Sequence, residues 1–314
     1  MRHNGQMAIQ STPKTIKYKK KSKVKNDVIG YLFITPNLLG FIFLTLIPVL
    51  FSLFVSFTEW NIFKGFKEMN FVGLKNYISM FEDTWFKASI KNNVIYTLGT
   101  IPVTLCAALL TAVILNDKVY GKNAIRTMFF MPYISNVVAI SAIWLALYNP
   151  SYGPINQFLM DLGISDPPKW IASSKWALPA VMIMSVWGGL GYNTVIYLAG
   201  LQGIPKELYE SADIDGANWW HKLIRITIPM LSPTTFFLLI TNIISSFQVF
   251  GQINIMTQGG PGTSTTVIAY YIYLSGFRYY KMGYSASMAW FLFIAIFIVT
   301  LIQWKGQKKW VNYM

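Results

Sequence analysis

The acidic residues of this sequence are concentrated in one short loop between long apolar segments. Residues 206–229 hold four of the 12 acidic residues, namely Glu207, Glu210, Asp213 and Asp215. Carboxylates at this density attract basic groups, whereas the anionic cytoplasmic surface of a membrane repels them. We therefore interpret this loop as a surface that binds a basic protein partner, rather than as a pair of helices lying flat on lipid.

Local signals in the loop predict two short helices joined at a glycine. Pro205 suits the first position of a helix, and Glu207 adds negative charge to its first turn. Gly216 tolerates a positive φ and is expected to end that helix, and Asn218 can cap the next one. The second helix is expected to end at Pro229, and its apolar face repeats as i, i+3, i+4 and i+7: Trp220, Leu223, Ile224 and Thr227.

The elements that must position this loop are apolar segments long enough to cross a bilayer. Of the 314 residues, 54% are hydrophobic and 12% are charged, against about 25% charged in a typical soluble domain. Segments without Asp, Glu, Lys, Arg or His, each with the roughly 20 residues that a spanning helix needs, are 30–57, 92–115, 127–148, 176–200, 230–256 and 284–304. The sequence therefore predicts an all-α membrane protein with six transmembrane helices.

The distribution of charge predicts the organisation of the rest of the chain. Residues 1–29 are polar and basic and are predicted to form a disordered cytoplasmic tail. Residues 30–304 form the six-span domain, with the acidic loop inside 201–229, and residues 305–314 form a second cytoplasmic tail. Most of the 26 basic residues then lie on the inner side, although the first tail supplies much of that excess.

Composition also bears on the partners of the chain. The net charge of +14 is interpreted as a signal of membrane topology rather than of nucleic-acid binding. The expected partner is the lipid bilayer. Tryptophans near the predicted span ends, Trp60 among them, are interpreted as an aromatic belt at the lipid headgroups rather than as stacking surfaces for sugars.

Two predicted spans carry polar faces that suit an uncharged, hydroxyl-rich solute. Unpaired polar groups in hydrocarbon are costly, so such faces should point into the bundle or a water-filled path. Small and hydroxylated residues also pack membrane helices against each other, and the sequence leaves both interpretations open. The candidates for the substrate path repeat as i, i+3, i+4 and i+7 in spans four and five: Ser185, Gly188, Gly189 and Tyr192, and Asn242, Ser245, Ser246 and Val249.

Residues 210–229 resemble the cytoplasmic loop of ABC-importer permeases, whose pattern is E-A-A-x-x-D-G-A-x-x-x-x-x-F-x-x-I-x-L-P. The departures are Ser211, Leu223 and Ile228, which stand in for alanine, phenylalanine and leucine. In that family the loop is the coupling helix that sits in a cleft of the ATPase subunit. The matching positions are Glu210, Ala212, Asp215, Gly216, Ala217, Ile226 and Pro229, and the first five are the ATPase-coupling residues that the resemblance implies.

Motifs elsewhere narrow the resemblance to the carbohydrate-uptake branch. Residues 31–36, 71–77 and 257–261 are similar to the larger maltose-type permease subunit, of which this chain keeps only the six-span core. In that relative the eight candidates for the substrate path align with sugar contacts, and the apolar Val249 is a departure. The resemblance implies the ABC importer type I permease fold and a bacterial or archaeal plasma-membrane location, with both termini cytoplasmic.

The implied function is that of a permease subunit for a neutral sugar or oligosaccharide. Its implied partners are a second homologous permease, a dimer of ATP-binding cassette ATPases and an extracellular solute-binding protein. The sequence contains no G-x-x-x-x-G-K-[ST] phosphate loop. ATP and Mg²⁺ are therefore expected on the ATPase, with no catalytic residue, metal site or cofactor on this chain.

Other functions are compatible with parts of the sequence. An importer of the same class for glycerol phosphate or another polar solute differs only in its ligand. An ion-coupled secondary transporter usually places carboxylates or histidine within the membrane, and the six apolar segments hold none. An intramembrane hydrolase would need such groups at the same depth, yet His3 and His221 both lie outside those segments.

Overall fold

A computed structural model describes residues 20–116 and 120–312, and the chain divides into two compact units at Ser52 and Leu53. The described part of the first unit is helical. Helix α1 (Lys20–Phe41) continues through a π-helical turn (Ile42–Leu46) into α2 (Ile47–Ser56). Within this stretch, Asp27–Ser56 is long and apolar enough to cross a membrane, with a mean hydropathy of 2.7.

Residues 20–29 depart from the prediction of a disordered tail, because they form the beginning of α1. The sequence between Lys20 and Gly30 contains no proline or glycine, and lysine is a good helix former. Extending an existing helix is also far easier than nucleating a new one, so the helix extends from the apolar span into the basic segment. Residues 1–19, for which disorder was also predicted, lie outside the described residues.

The described part of the second unit is helical apart from one short hairpin, in which β1 (Thr58–Glu59) pairs antiparallel with β2 (Asn70–Phe71). The strictly all-α prediction misses this hairpin. The helices in chain order are α3 (Lys75–Glu82), α4 (Thr84–Asn116), α5 (Lys122–Ile134), α6 (Val137–Leu147), α7 (Pro154–Asp161), α8 (Ala177–Gln202), α9 (Lys206–Ile214), α10 (Trp219–Lys222), α11 (Ile228–Met230), α12 (Ser232–Phe247), α13 (Gly251–Met256), α14 (Ile268–Tyr273) and α15 (Met282–Gly306).

The third apolar segment is a broken span rather than a straight helix. Helices α5 and α6 meet at a bend of 98°. Pro132 removes a backbone donor near the end of α5, and the Asn136 side chain caps α6 by accepting a hydrogen bond from Val138 N at 2.8 Å. The described residues thus contain five helices able to span a membrane, or six when the bent pair counts as one, which confirms the predicted helical membrane class.

The structure moves the limits of the predicted spans without changing their order. The five single candidates and the bent pair, in chain order, are Asp27–Ser56, Thr84–Asn116, Lys122–Ile134 with Val137–Leu147, Ala177–Gln202, Ser232–Met256 and Met282–Lys309. Several of these helices extend beyond the charge-free segments, because a helix can continue into the polar layer outside the hydrocarbon. A charge-free run marks only the hydrocarbon-crossing part of a span.

Polar and small residues join the helices of the second unit. Asn93 of α4 is fully buried, donates its Nδ2 to the Ser246 carbonyl (3.1 Å) and accepts from Ile268 N (3.1 Å), so one side chain links α4, α12 and α14. Gly191 of α8 lies against the backbone of α5 at Phe129, where a Cβ would overlap the carbonyl oxygen. Such close approaches are a common use of glycine between membrane helices.

Replacing Gly191 with alanine is expected to destabilise the protein by forcing α5 away from α8, at a cost of about 1–3 kcal/mol for an overpacked contact. Gly188→Ala is the matched control, because the same helix offers open space at that Cβ position. At position 188, alanine loses less backbone entropy on folding than glycine does, so this variant should be as stable as the wild type or slightly more stable. The measurement is size-exclusion chromatography after graded heating of the full-length protein solubilised from its membrane. Equal midpoints for the two variants would contradict the close contact.

Candidate solute cavity and acidic loop

A cavity of about 540 Å³ lies among α4, α5, α6, α8, α12 and α13. This volume falls within the roughly 300–1,000 Å³ of small-molecule binding sites. The structure brings together at this cavity all eight residues predicted for the substrate path: Ser185, Gly188, Gly189, Tyr192, Asn242, Ser245, Ser246 and Val249. The two faces derived from spacing on separate helices therefore face one common space, and their role in binding stays a prediction.

A third polar face, on α4, was not predicted from the sequence. Tyr96, Thr100 and Thr104 repeat at i, i+4 and i+8 and line the same cavity. Both threonines donate to the preceding turn of their own helix, at 2.7 and 2.8 Å, so the bilayer tolerates them. Their four-residue repeat within an apolar helix is the signal that could have revealed this face.

Asparagines form the polar centre of the cavity. Asn242 donates its Nδ2 to Asn193 Oδ1 (2.7 Å) and to the Leu238 carbonyl (2.7 Å), and Asn193 donates to the Gly189 carbonyl (2.8 Å). Both donors of the Asn242 amide are thus used within the protein. Its Oδ1 remains as an acceptor that a hydroxyl group in the cavity can reach. Asn193 was absent from the predicted set because it is one residue beyond the i+7 position at Tyr192.

Two breaks in helices also border the cavity. Ser135 lies at the bend between α5 and α6, and Gln248 and Phe250 lie where the fifth span changes from α12 to α13. Helix breaks free backbone N–H and C=O groups from their i to i−4 partners. Inside a membrane such groups are tolerated only where protein or a water-filled space covers them. Broken helices around a central site are a recurrent feature of transporters.

The lining combines aromatic and neutral polar groups. Tyr133 and Tyr192 stack with ring centroids 4.7 Å apart and an interplanar angle of 21°. Gln252 and Thr241 add further amide and hydroxyl groups. No acidic, basic or histidine side chain is among the described residues that line this cavity. The cavity can therefore form hydrogen bonds to a ligand and stack rings on it, but has no charge with which to neutralise an ion.

The acidic loop folds as a helix, a glycine and a second helix, as its sequence indicated. Helix α9 ends at Ile214, and Gly216 just beyond it has φ +73°. The backbone N–H groups of Ala217 and Gly216 donate to the carbonyls of Ala212 (2.9 Å) and Asp213 (3.1 Å). These two bonds define a Schellman motif, in which a glycine reverses the chain after a helix. Ala212, Gly216 and Ala217, all predicted as coupling residues, therefore build the turn itself.

Side chains fix the second part of the loop to the first. Asn218 caps α10 by accepting from His221 N at 2.9 Å, and Lys222 pairs with Asp213 at 2.7 Å across the turn. The Tyr209 hydroxyl lies 2.9 Å from Thr227 Oγ1. The loop is thus a defined element rather than a loose connection. Its four acidic side chains, including the predicted coupling residues Glu210 and Asp215, belong to exposed residues.

Two expectations for the second helix of this loop are wrong. A π-helical turn at Leu223–Thr227 widens the helix, so Leu223 and Thr227 are buried while Trp220 and Ile224 are 62% and 58% exposed. The predicted single apolar face is therefore divided between the core and the surface. Pro229 does not end the helix either, because it occupies the first turn of α11, and α12 begins only at Ser232.

The fold is that of a helical membrane protein, and comparison with known proteins identifies its family. The family described as "Binding-protein-dependent transport system inner membrane component" matches residues 93–304. This chain belongs to that family and is a permease subunit of an ABC importer, located in the plasma membrane as a multi-pass protein. It is not itself catalytic; permease subunits of the family carry no cofactor, and ATP binds to the ATPase partner.

Relatives with different named substrates are almost equally similar to this chain. The arabinooligosaccharides transport system permease protein AraP of Bacillus subtilis (strain 168) is 34% identical over 278 residues, covering 88% of this chain and 87% of that protein. The sn-glycerol-3-phosphate transport system permease protein UgpA of Agrobacterium fabrum (strain C58) is 33% identical over 289 residues, covering 92% and 97%. Overall identity therefore does not select between a sugar and a phosphate ester.

A solved structure shows the same fold. One chain in the crystal structure of a bacterial alginate ABC transporter, in complex with an alginate pentasaccharide-bound periplasmic protein, superposes with a TM-score of 0.80 at 23% identity. The alignment covers 92% of this chain and 97% of that one. The permease fold predicted from the sequence is thereby confirmed.

Proposed function

We propose that this permease subunit transports a neutral sugar or a short oligosaccharide. The observation that carries the proposal is the uncharged lining of the cavity, which offers hydroxyl, amide and aromatic groups. A sugar presents hydroxyl donors and acceptors on a partly apolar ring, and such a lining can satisfy both. Asn242 Oδ1 would accept from a hydroxyl, and the stacked Tyr133 and Tyr192 would cover an apolar face of the ring.

The same lining disfavours glycerol phosphate. An anion that leaves water without a partner of opposite charge pays a large desolvation cost. Proteins that bind phosphate usually supply arginine or lysine, and the described cavity residues include neither. The beginnings of α6 and α13 at the cavity border offer backbone N–H groups but no full charge. Since UgpA and AraP are equally close in sequence, the chemistry of the cavity is the criterion that favours the sugar.

The acidic loop is proposed to couple this cavity to ATP hydrolysis. In the proposed complex, Glu210, Ala212, Asp215, Gly216 and Ala217 contact one subunit of an ATPase dimer, a second homologous permease completes the pathway, and an extracellular solute-binding protein delivers the sugar. Both termini and the loop then face the cytoplasm. Closure of the ATPases would move the loop, and the spans would alternate access to the cavity between the two sides of the membrane.

The substrate is tested by reconstituting the copurified importer and its binding protein into liposomes. The sugar is chosen by screening the binding protein against mono- to tetrasaccharides. We expect uptake of this radiolabelled sugar to depend on ATP. Uptake of glycerol 3-phosphate in place of any sugar would overturn the proposal. Uptake driven by an ion gradient without ATP would instead support a secondary transporter.

Asn242→Leu is expected to raise the KM for sugar uptake roughly fivefold to tenfold, since one hydrogen bond to a neutral group contributes about 1 kcal/mol. Phe237→Leu is the matched control on the same helix, because that side chain is exposed and does not line the cavity. The measurement is initial uptake rate against sugar concentration in the reconstituted importer. An unchanged KM in Asn242→Leu would remove this residue from the site.

Gly216→Val is expected to lower sugar-stimulated ATP hydrolysis and uptake together, because a residue with a Cβ costs about 1–2 kcal/mol in the left-handed region and the turn would rearrange. Gly216→Asn is the matched control, since asparagine adopts this conformation more readily. No atom lies within 4 Å of the added Cβ, so the variants differ in backbone strain rather than in collisions. Full coupling in Gly216→Val would show that the turn geometry is dispensable.

A further inference from the structure

A second cavity, distinct from the one between the spans, lies where the β1–β2 hairpin meets the beginning of α15. Its volume is about 590 Å³. We call it the hairpin pocket and define it by six of its lining residues: Trp60, Asn76, Asp83, Tyr279, Tyr280 and Lys281. Segments more than 180 residues apart in sequence build it, and it shares no lining residue with the proposed cavity site.

Backbone contacts make the pocket a fixed structure. Met282 N donates to the Trp60 carbonyl at 3.0 Å, and Asn61 pairs with Lys281 as an isolated β-bridge. Gly283 lies so close to the hairpin that a Cβ would overlap the Thr58 carbonyl oxygen. Asn76 donates to that same oxygen at 2.8 Å.

Asp83 anchors the floor of the pocket to three helices. Its Oδ1 caps α4 by accepting from Trp85 N (2.8 Å), and its Oδ2 accepts from the hydroxyls of Tyr271 (2.5 Å) and Tyr284 (2.7 Å). Burial alone would raise the pKa of Asp83, but these hydrogen bonds, with a weaker one from Phe86 N, hold the pKa below its usual value. The carboxylate therefore stays ionised and the two tyrosines are fixed in place.

The lining groups are those that recognise polyhydroxy compounds. Trp60, Tyr279 and Tyr280 provide amphipathic rings, while the Lys281 ammonium group and the Asn76 amide oxygen provide charged and neutral partners for hydroxyls. Tyr280 has φ +58°, a conformation that costs a residue with a Cβ about 1–2 kcal/mol. Such backbone strain is concentrated at ligand-binding sites. The acidic side chains of the pocket do not indicate a metal site, since the described residues contain no cluster of three or more metal-binding side chains.

Chain topology places this pocket on the side of the membrane opposite the acidic loop. Counting the bent pair as one span, the pocket lies after the first span and before the sixth, whereas the loop joins the fourth to the fifth. If the loop is cytoplasmic, as proposed above, the pocket faces outward, where an importer receives its solute.

We propose that the hairpin pocket is a second sugar-binding site, which holds the solute on the outer side before it reaches the cavity between the spans. This inference rests on the proposed function. Trp60, interpreted from the sequence as part of an aromatic belt, then belongs to a binding site. The charged lining suits a wetter site, where ionic side chains keep part of their hydration while they bind hydroxyls.

The experiment measures sugar binding to the complete importer in nanodiscs, without ATP and without the binding protein, by saturation-transfer NMR. The probe is the sugar that the binding protein selects from a panel of mono- to tetrasaccharides. The test variant is Tyr279→Ala combined with Lys281→Ala, because the Lys281 bridge to Asn61 uses backbone atoms only and survives the change. Lys67→Ala is the control, an exposed lysine of the same hairpin outside the pocket.

We expect Asn242→Leu and Lys67→Ala to retain this binding component, and the double variant introduced into Asn242→Leu to weaken it at least tenfold, since binding at the membrane cavity then no longer masks the loss. Undiminished affinity in that combined variant, or loss of all binding in Asn242→Leu, would overturn the second site. Absence of any binding to the wild-type importer would also overturn it. Sugar uptake by the same wild-type preparation, measured in liposomes, then shows whether the proposed function stands without the hairpin pocket.

Discussion

The need to satisfy polar groups inside a low-dielectric medium determines the arrangement of this protein. Each span hides its backbone in a helix, and the third and fifth spans are interrupted at Ser135–Asn136 and at Gln248–Phe250. Both interruptions border the cavity between the spans. Backbone groups released by a broken helix need partners, and a polar cavity supplies them as water or solute. The interruptions and the cavity therefore depend on each other, and neither would be stable in hydrocarbon alone.

The same constraint separates the charges of the protein into zones. The cavity between the spans has only neutral groups among its described residues, the acidic loop exposes its carboxylates, and the hairpin pocket combines lysines with acids. This separation supports the proposal of an uncharged solute, which needs no ionic partner in the middle of the membrane. Neutral polar side chains in the cavity also avoid the large desolvation cost that a buried lysine or carboxylate would impose on folding.

The features that could be predicted from the sequence are those that depend on one local physical rule. Charge-free length indicated the spans, and the φ requirement at Gly216 indicated the turn in the acidic loop. Features that depend on how two elements pack together could not be predicted in this way. The α4 face of Tyr96, Thr100 and Thr104 shows a four-residue repeat, but its place at the cavity requires knowing that α8 and α12 lie opposite. The π-helical turn at Leu223–Thr227 was not predicted, and the hairpin pocket joins segments too distant for any periodic pattern.

Helix α12 connects the acidic loop to the cavity between the spans most directly. Before it, Thr227 of the π-helical turn is linked to Tyr209 of the acidic loop, and at its first residue Ser232 Oγ accepts from Asn312 N (2.9 Å). The loop and the C-terminal segment are thus both fixed close to the beginning of this span. Along the helix, Asn242 bonds to Asn193 of α8, and the helix stops at the break beside the cavity. Helix α12 is attached to the loop at one end and interrupted at the other, so it can tilt as one rigid element. In the proposed transport cycle, a displacement of the loop would therefore be passed along α12 to the bonds that it makes to α8. These are Tyr197–Thr235 (3.2 Å) and Asn242–Asn193 (2.7 Å), and the second lies at the cavity.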